Sequence, residues 1–295
     1  MKNKSWLYYA VITTVLWGVW GALIELPEKS GFPATMGYVV WSLTLVPVAI
    51  IALKFNSWKL DKDRRSVFLG LLTGVFGCGG QLILFETLRS GPAYIVFPII
   101  SLFPVVTVLL SISILREKAN RIAWIGILLS FTAILLLSYQ PSDKSPVTGY
   151  TWLFMSIIVF ILWGLQAFFI KLGSDINKKN SMQPESFIFY TMLVSILLIP
   201  IALYMTDFSQ EINYGYDGMY SAILIQSLNS IGYLFFIYTI RYGKAIIVVP
   251  MMSLAPVITI LLSLILYAVI PHPIKLIGIV LAFVSIYLMA KNESS

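Results

Sequence analysis

Residues 87–111 read TLRSGPAYIVFPIISLFPVVTVLLS, and residues 239–263 read TIRYGKAIIVVPMMSLAPVITILLS. Under this shift of 152 residues, 15 of the 25 positions are identical. Arg89 falls on Arg241, Gly91 on Gly243, Pro98 on Pro250, Ser101 on Ser253 and Pro104 on Pro256. Apolar segments resemble one another by chance, but chance does not put Pro, Gly, Arg and Ser into one register. The match continues through Gly126/Gly278 and Phe131/Phe283, and Trp17-Gly18 meets Trp163-Gly164 under a slightly shorter shift. The chain therefore reads as two copies of one unit, and the unit decides the fold.

Composition supplies the solvent in which that unit folds. Of 295 residues, 59% are hydrophobic and 11% charged, and mean hydropathy is +0.89. Soluble domains carry about 25% charged residues, so this chain has too little polar surface to stay dispersed in water. A spanning helix needs about 20 mostly apolar residues. Ten segments qualify: Trp6–Ile24, Pro33–Leu53, Ser66–Thr87, Pro92–Leu115, Arg121–Tyr139, Thr148–Ile170, Glu185–Thr206, Tyr216–Ile240, Lys244–Ile270 and Pro273–Ala290. The linker between copies falls at Gln140–Val147, where Pro141, Ser142, Asp143, Ser145 and Pro146 break periodicity. The expected architecture is an all-α membrane protein of ten transmembrane helices, divided into repeats 1–145 and 146–295. Five is odd, so the second copy enters the bilayer upside down, and inverted repeats are a signature of alternating-access carriers.

The net charge of +7 is distributed between the apolar runs rather than along one face, which argues against a nucleic-acid partner. With the N-terminus in the cytoplasm, Lys2, Lys4, Lys54, Lys59, Lys62, Arg64, Arg65, Arg116, Lys118, Arg121, Lys171, Lys178, Lys179, Arg241, Lys244 and Lys291 face inward. Only Lys29, Arg89, Lys144 and Lys275 face outward. Sixteen against four satisfies the positive-inside rule for an even number of spans. Both termini are expected in the cytoplasm and the protein in the inner membrane. The first apolar run starts after Lys2 and Lys4 and ends at Glu25-Leu26-Pro27, unlike a cleaved signal peptide. Cys78 is the single cysteine, so neither an internal disulfide nor a cysteine metal site is expected.

Three features together carry a family resemblance. They are the ten spans in two halves, the early Trp17-Gly18 and Trp163-Gly164, and the A-x-x-x-x-P…SL-x-P segments from Ala93 and Ala245. On them the chain resembles the drug/metabolite transporter (DMT) superfamily, specifically its EamA-type transporters, over essentially its whole length. The resemblance implies a central cavity lined by spans one to four and six to nine, with spans five and ten peripheral. It implies a small organic solute, without naming one. Glu117 is similar to the Glu that commonly caps the fourth span in the family. Ala268–Pro273 has no matching carboxylate, which assigns Glu117 a structural or topological role.

Polar groups at membrane depth must find partners, which makes them site candidates. Gln81, Gln166, Gln226 and Asn229 lie within apolar spans; they are either helix–helix glue or solute ligands. Trp17, Trp20, Trp41 and Trp163 lie well inside their spans and suit an aromatic cavity wall, whereas Trp6, Trp58, Trp124 and Trp152 suit interfacial anchoring. Pro98 with Pro104, and Pro250 with Pro256, remove backbone donors and kink spans four and nine, freeing carbonyls near the repeat interface. Gly70, Gly74, Gly77, Gly79 and Gly80 give span three a small-residue face. Arg89 and Arg241 read as loop or headgroup anchors or as anion ligands. The substrate-binding set is thus Trp17, Gln81, Pro98, Ser101, Trp163, Gln166, Asn229, Tyr233, Pro250 and Ser253. Glu86 and Glu25 are the candidates for proton coupling; each also reads as an interfacial pair, Glu86 with Arg89 three residues on.

The expected function is a secondary transporter, an exporter or exchanger, moving a small metabolite or drug-like solute by alternating access. Its partners are that solute and membrane lipids, and no cofactor is called for. A channel, a lipid translocator or a membrane scaffold are the alternatives. An enzyme is disfavoured: His272 is the only histidine, and there is no H-E-x-x-H, G-x-S-x-G or P-loop.

Overall fold

The computed structural model describes residues 5–90, 96, 99–137, 139, 150–176, 180–267 and 272–293. Among them every regular element is helical. They are α1 (Ser5–Leu23), α2 (Glu25–Lys29), α3 (Ala34–Phe55), α4 (Arg64–Ser90), α5 (Pro104–Ser113), α6 (Arg121–Leu137) and α7 (Thr151–Ser174). The remainder are α8 (Pro184–Leu197), α9 (Ile199–Tyr204), a π-helical turn (Tyr216–Tyr220), α10 (Ser221–Tyr242), α11 (Ala245–Met252), α12 (Pro256–Tyr267) and α13 (Pro273–Glu293). Eight stretches are long and apolar enough to cross a membrane, and two shorter apolar helices, Ile99–Ser113 and Arg121–Leu137, complete ten. The linker 140–147 lies outside the described residues.

Local chemistry sets the boundaries. Asp63 accepts the Ser66 N–H at 3.1 Å and so caps α4 at its first turn. Contacts with the Ser66 side chain and backbone hold the Asp63 carboxyl below the usual carboxylate range. Pro200 has no N–H for the preceding turn, and the seventh span divides at Leu198 into α8 and α9. Spans four and nine divide in the same way: Pro104 and Pro256 each open a second helical segment after a tight turn. The short α2 follows α1 directly at Ile24, whose backbone stays helical, and packs near the turn at Tyr216–Tyr220. The spacing of apolar residues did not announce it because Glu25, Glu28 and Lys29 break the periodicity.

Packing repeats as the sequence does. α1 lies on α10 as α4 lies on α7; α3 lies on α10 as α4 lies on α8; α1 lies on α12 as α5 lies on α7. The pairs α3–α8 and α6–α13 are their own equivalents. Such exchange of partners is what two inverted copies about one axis produce. It holds at atomic detail. Thr107 Oγ1 donates to the Gly164 carbonyl at 2.9 Å, and Thr259 Oγ1 donates to that of Gly18 at 2.9 Å. A side chain at Gly80 would sit 2.7 Å from Trp163 Nε1, and one at Gly232 would sit 2.7 Å from Trp17 Nε1. Each indole therefore lies with its Nε1 and Cδ1 atoms against a bare stretch of the other copy's helix. Gly70, Gly74 and Gly77 are similarly filled by Tyr190, Val194 and Gln166, whereas Gly79 faces open space.

Two tryptophans expected at the interface sit elsewhere. Trp6 and Trp152 are only 5% and 6% exposed and pack inside the bundle. They occupy equivalent places in the repeat, and neighbouring helices cover both indoles. Trp58 and Trp124, at 61% and 37%, do lie on the surface.

Candidate functional site

α1, α3, α4, α7 and α10, with the broken spans four and nine, enclose a cavity of about 810 Å³. Indoles of Trp17, Trp20, Trp41 and Trp163 and rings of Phe85, Phe103, Tyr233 and Phe236 form much of its wall. Between the rings lie Gln81, Gln166, Gln226 and Asn229. Trp20 Nε1 donates to Gln226 Oε1 at 3.1 Å. Gln166 Nε2 donates to the Tyr233 hydroxyl at 3.0 Å, which meets Thr191 Oγ1 at 3.1 Å. The amides of Gln81 and Asn229 make no side-chain hydrogen bond among the described residues. Trp41 Nε1 is buried and likewise unpartnered. Donors and acceptors left open in an apolar wall are what a polar solute group requires.

The broken spans add backbone to this wall. Leu102 N–H donates to Ile99 O at 3.2 Å and Phe103 N–H to Ile100 O at 3.0 Å; Val105 N–H turns to Leu102 O at 2.8 Å. Pro104 has no N–H, so the Ser101 carbonyl loses the donor this tight turn would give it. The second copy repeats the pattern. Ala255 N–H donates to Met252 O at 3.1 Å, Val257 N–H to Leu254 O at 2.9 Å, and Pro256 leaves the Ser253 carbonyl without its donor. Ser101 and Ser253 both line the cavity. The irregular backbone in the second copy thus falls at Ser253–Ala255, just before the second proline of the pair, Pro256, rather than at Pro250. Pro250 is buried inside α11 and does not line the cavity, because the helix tolerates it until Pro256 restarts the chain.

The cavity reaches the exposed Glu25 and Lys29 at one end of the bundle. The opposite end is sealed by bonds from Glu117, Asp61 and Arg65 of the first copy to the second, backed by bonds within the second copy. Glu117 Oε2 accepts the Ile246 N–H at 3.0 Å, capping α11, and its Oε1 lies 3.6 Å from Lys171 Nζ. Lys171 Nζ in turn donates to the carbonyls of Gly243 at 2.6 Å and Ile240 at 3.2 Å. Asp61 Oδ2 accepts the Gln183 N–H at 2.7 Å and the Ser186 hydroxyl at 2.9 Å. Arg65 donates to Asn180 O and Leu172 O. Arg241, 9% exposed, donates to Met182 O at 2.6 Å; it anchors a loop, not a headgroup. The Tyr238 hydroxyl donates to buried Glu185. The structural role assigned to Glu117 is this cap, which one copy supplies to the other.

Of the residues singled out in the sequence, Trp17, Gln81, Ser101, Trp163, Gln166, Asn229, Tyr233 and Ser253 come together around one cavity. Pro98 lies outside the described residues. Glu25 stands at the cavity mouth, paired with Lys29 at 2.7 Å. Glu86 is half-buried on α4 and off the cavity wall. The wall also holds Phe85, Phe236, Glu28 and Lys275, which the sequence did not single out. Phenylalanines on apolar spans carry no distinguishing signal. Glu28 and Lys275 depend on a short helix and a last span that periodicity does not aim inward.

Comparison with known proteins places this arrangement. The sequence profile of the EamA-like transporter family matches residues 4–139 and again residues 150–291. Protein LicB of Haemophilus influenzae is 25% identical over 245 residues, covering 80% of this chain and 82% of that protein. An uncharacterized transporter of Archaeoglobus fulgidus is 26% identical over 179 residues, covering 60% of this chain and 59% of its own. A crystal structure superposes with a TM-score of 0.76 over 95% of this chain and 97% of that one, at 15% identity, which speaks to the fold alone.

Proposed function

This chain belongs to the EamA-like transporter family, and we propose that it is a secondary carrier that moves a small neutral or zwitterionic organic solute by alternating access. The family is one of transporters, not enzymes, and the helices make the protein a multi-pass membrane protein. One observation carries the mechanistic reading: a single aromatic and amide-lined cavity, open toward α2, is sealed at the other end by bonds between two quasi-equivalent halves. Two inverted copies have two near-equivalent arrangements, and exchange between them moves the opening from one end to the other.

In this reading repeats 1–145 and 146–295 are the two rocking units, and the solute lies between them. Indoles of Trp17 and Trp163 flank it, the amides of Gln81, Gln166 and Asn229 and the Tyr233 hydroxyl bind its polar groups, and the Ser101 and Ser253 carbonyls accept from it. Among the described residues the charged side chains on the wall are Glu25, Glu28, Lys29 and Lys275, two of each sign, with Glu25 and Lys29 paired at the mouth. A net-neutral solute suits such a lining, because a lone buried charge would go unpaired. The Lys/Arg partition puts both termini in the cytoplasm of an inner-membrane protein, so the cavity here opens outward and the Glu117–Lys171 seal faces the cytoplasm. Export or exchange is the direction proposed.

The test is exchange in liposomes loaded with a uniformly isotope-labelled small-molecule extract. A carrier releases at least one labelled solute, unaltered and saturably, faster when unlabelled extract is present outside. Release independent of outside solute would identify a channel, and chemical alteration an enzyme. Either result overturns the proposal.

A further inference from the structure

Lys275 stands on α13, the last span, whose family-implied place is the periphery. Most of α13 does pack against α6, yet Lys275 and Leu137 from this outer pair line the cavity. The Lys275 side chain is only partly exposed and makes no ion pair or side-chain hydrogen bond among the described residues. Its backbone is fixed: the Lys275 N–H donates to the His272 carbonyl at 2.8 Å, and the His272 ring packs 4.8 Å from that of Tyr139. The other lysine on the wall, Lys29, is already compensated by Glu25 at 2.7 Å. One further charge lines the same cavity. Glu28 of α2 is exposed; it makes no ion pair or side-chain hydrogen bond among the described residues, although the neighbouring Glu25 and Lys29 both act on its charge.

We propose that Lys275 is the anion-recognition residue of the cavity and that the solute is a zwitterion, its anionic group on Lys275 and its cationic group on Glu28. An ammonium partly withdrawn from water gains from a counter-ion far more than one in bulk solvent. A plain anion would meet Glu28 uncompensated, and a plain cation would meet Lys275. Both charges are satisfied at once only by a solute that carries both signs. The carboxylate, phosphate or sulfonate end then sits at the mouth against α13, and the apolar body extends toward the indoles. The solute class rests on the carrier reading; the anion site does not.

Iodide tests the site directly, since four tryptophans line the cavity. Quenching of tryptophan fluorescence by iodide, by caesium and by neutral acrylamide is measured on the purified protein. The variants are Lys275→Gln, Lys275→Arg and Glu28→Gln, each in a Trp58→Phe, Trp124→Phe background that removes the exposed indoles. Lys275→Gln is expected to lower iodide quenching about twofold. Lys275→Arg should keep it, Glu28→Gln should raise it, and acrylamide should be unchanged throughout. Iodide quenching that ignores the loss of Lys275, or that changes in step with acrylamide, overturns the site. The labelled-extract exchange then reads the class. Zwitterions should exchange, and more weakly with Lys275→Gln; exchange of solutes without an anionic group, undiminished in that variant, overturns the class. Iodide concentrated by Lys275 in a protein that exchanges nothing would uphold the site and refute the carrier.

Discussion

Gln166 illustrates how much one side chain is asked to do. It fills the space over Gly77, bonds Tyr233 and borders the cavity. Gln166→Ala removes a hydrogen bond that the solute or its shell uses, and one such bond is worth about 1–3 kcal/mol when a buried partner is orphaned. Transport should therefore fall by about tenfold or more in liposomes, with the amount of folded protein unchanged. Trp163→Ala should weaken transport as well. Equal transport rates in both variants would reduce these residues to packing. A separate effect belongs to the glycines under the indoles. Gly80→Ala and Gly232→Ala each push a methyl into Trp163 or Trp17 and should cost about 1–3 kcal/mol of thermal stability, alike in the two copies. At this scale the sequence was legible where a polar or aromatic group interrupted an apolar run, as at Gln81, Gln166 and Asn229. It was silent on Lys275 and Glu28, because a charge near a helix end reads the same whether it faces a headgroup, a loop or a cavity.

Elements carry the gate. At the sealed end Glu117 follows α5 and caps α11 of the other copy, while Lys171 closes the C-terminus of α10. Glu117→Gln keeps one acceptor for the Ile246 N–H but drops the charge that faces Lys171. The seal should loosen, and a cysteine placed at the fully buried Ala245, beside the capped Ile246 N–H, in a Cys78→Ser background should react with maleimide several-fold faster. Unchanged labelling would show that the Asp61 and Arg65 bonds suffice. The second copy has no such carboxylate after its own broken span, so the seal cannot be reproduced in kind at the mouth. That asymmetry was readable from the missing partner of Glu117; its partners, Ile246 N–H and Lys171, were not, because they come from distant parts of the chain. Spans four and nine show the same division. Matched prolines foretold irregular backbone, but short turns at Leu102–Phe103 and Ser253–Ala255 decide which carbonyls open, and they lie immediately before Pro104 and Pro256 rather than at Pro250.

At the scale of the molecule the repeat governs everything else. Fifteen identities in 25 positions were enough to foresee two copies, and five spans per copy fixed their inversion. What the sequence could not give was the state, since either end of such a bundle can hold the seal. The side of the membrane is testable through exposed loop positions: a cysteine at Ser57 should be labelled only from the cytoplasm and one at Tyr214 only from outside, and the reverse pattern would invert the topology. Exchange between the two states is the central claim, and distances between paired spin labels on the reconstituted protein test it most directly. One pair, Leu26 with Leu276, spans the mouth, and the other, Lys118 with Lys244, spans the seal. The account predicts two populations, with and without labelled-extract solutes. In one the mouth pair is long and the seal pair short, as here, where Lys244 Nζ donates to the Lys118 carbonyl at 3.3 Å; in the other both are reversed, and solute shifts the balance. A single fixed pair of distances under every condition, or a species long at both ends, would contradict it.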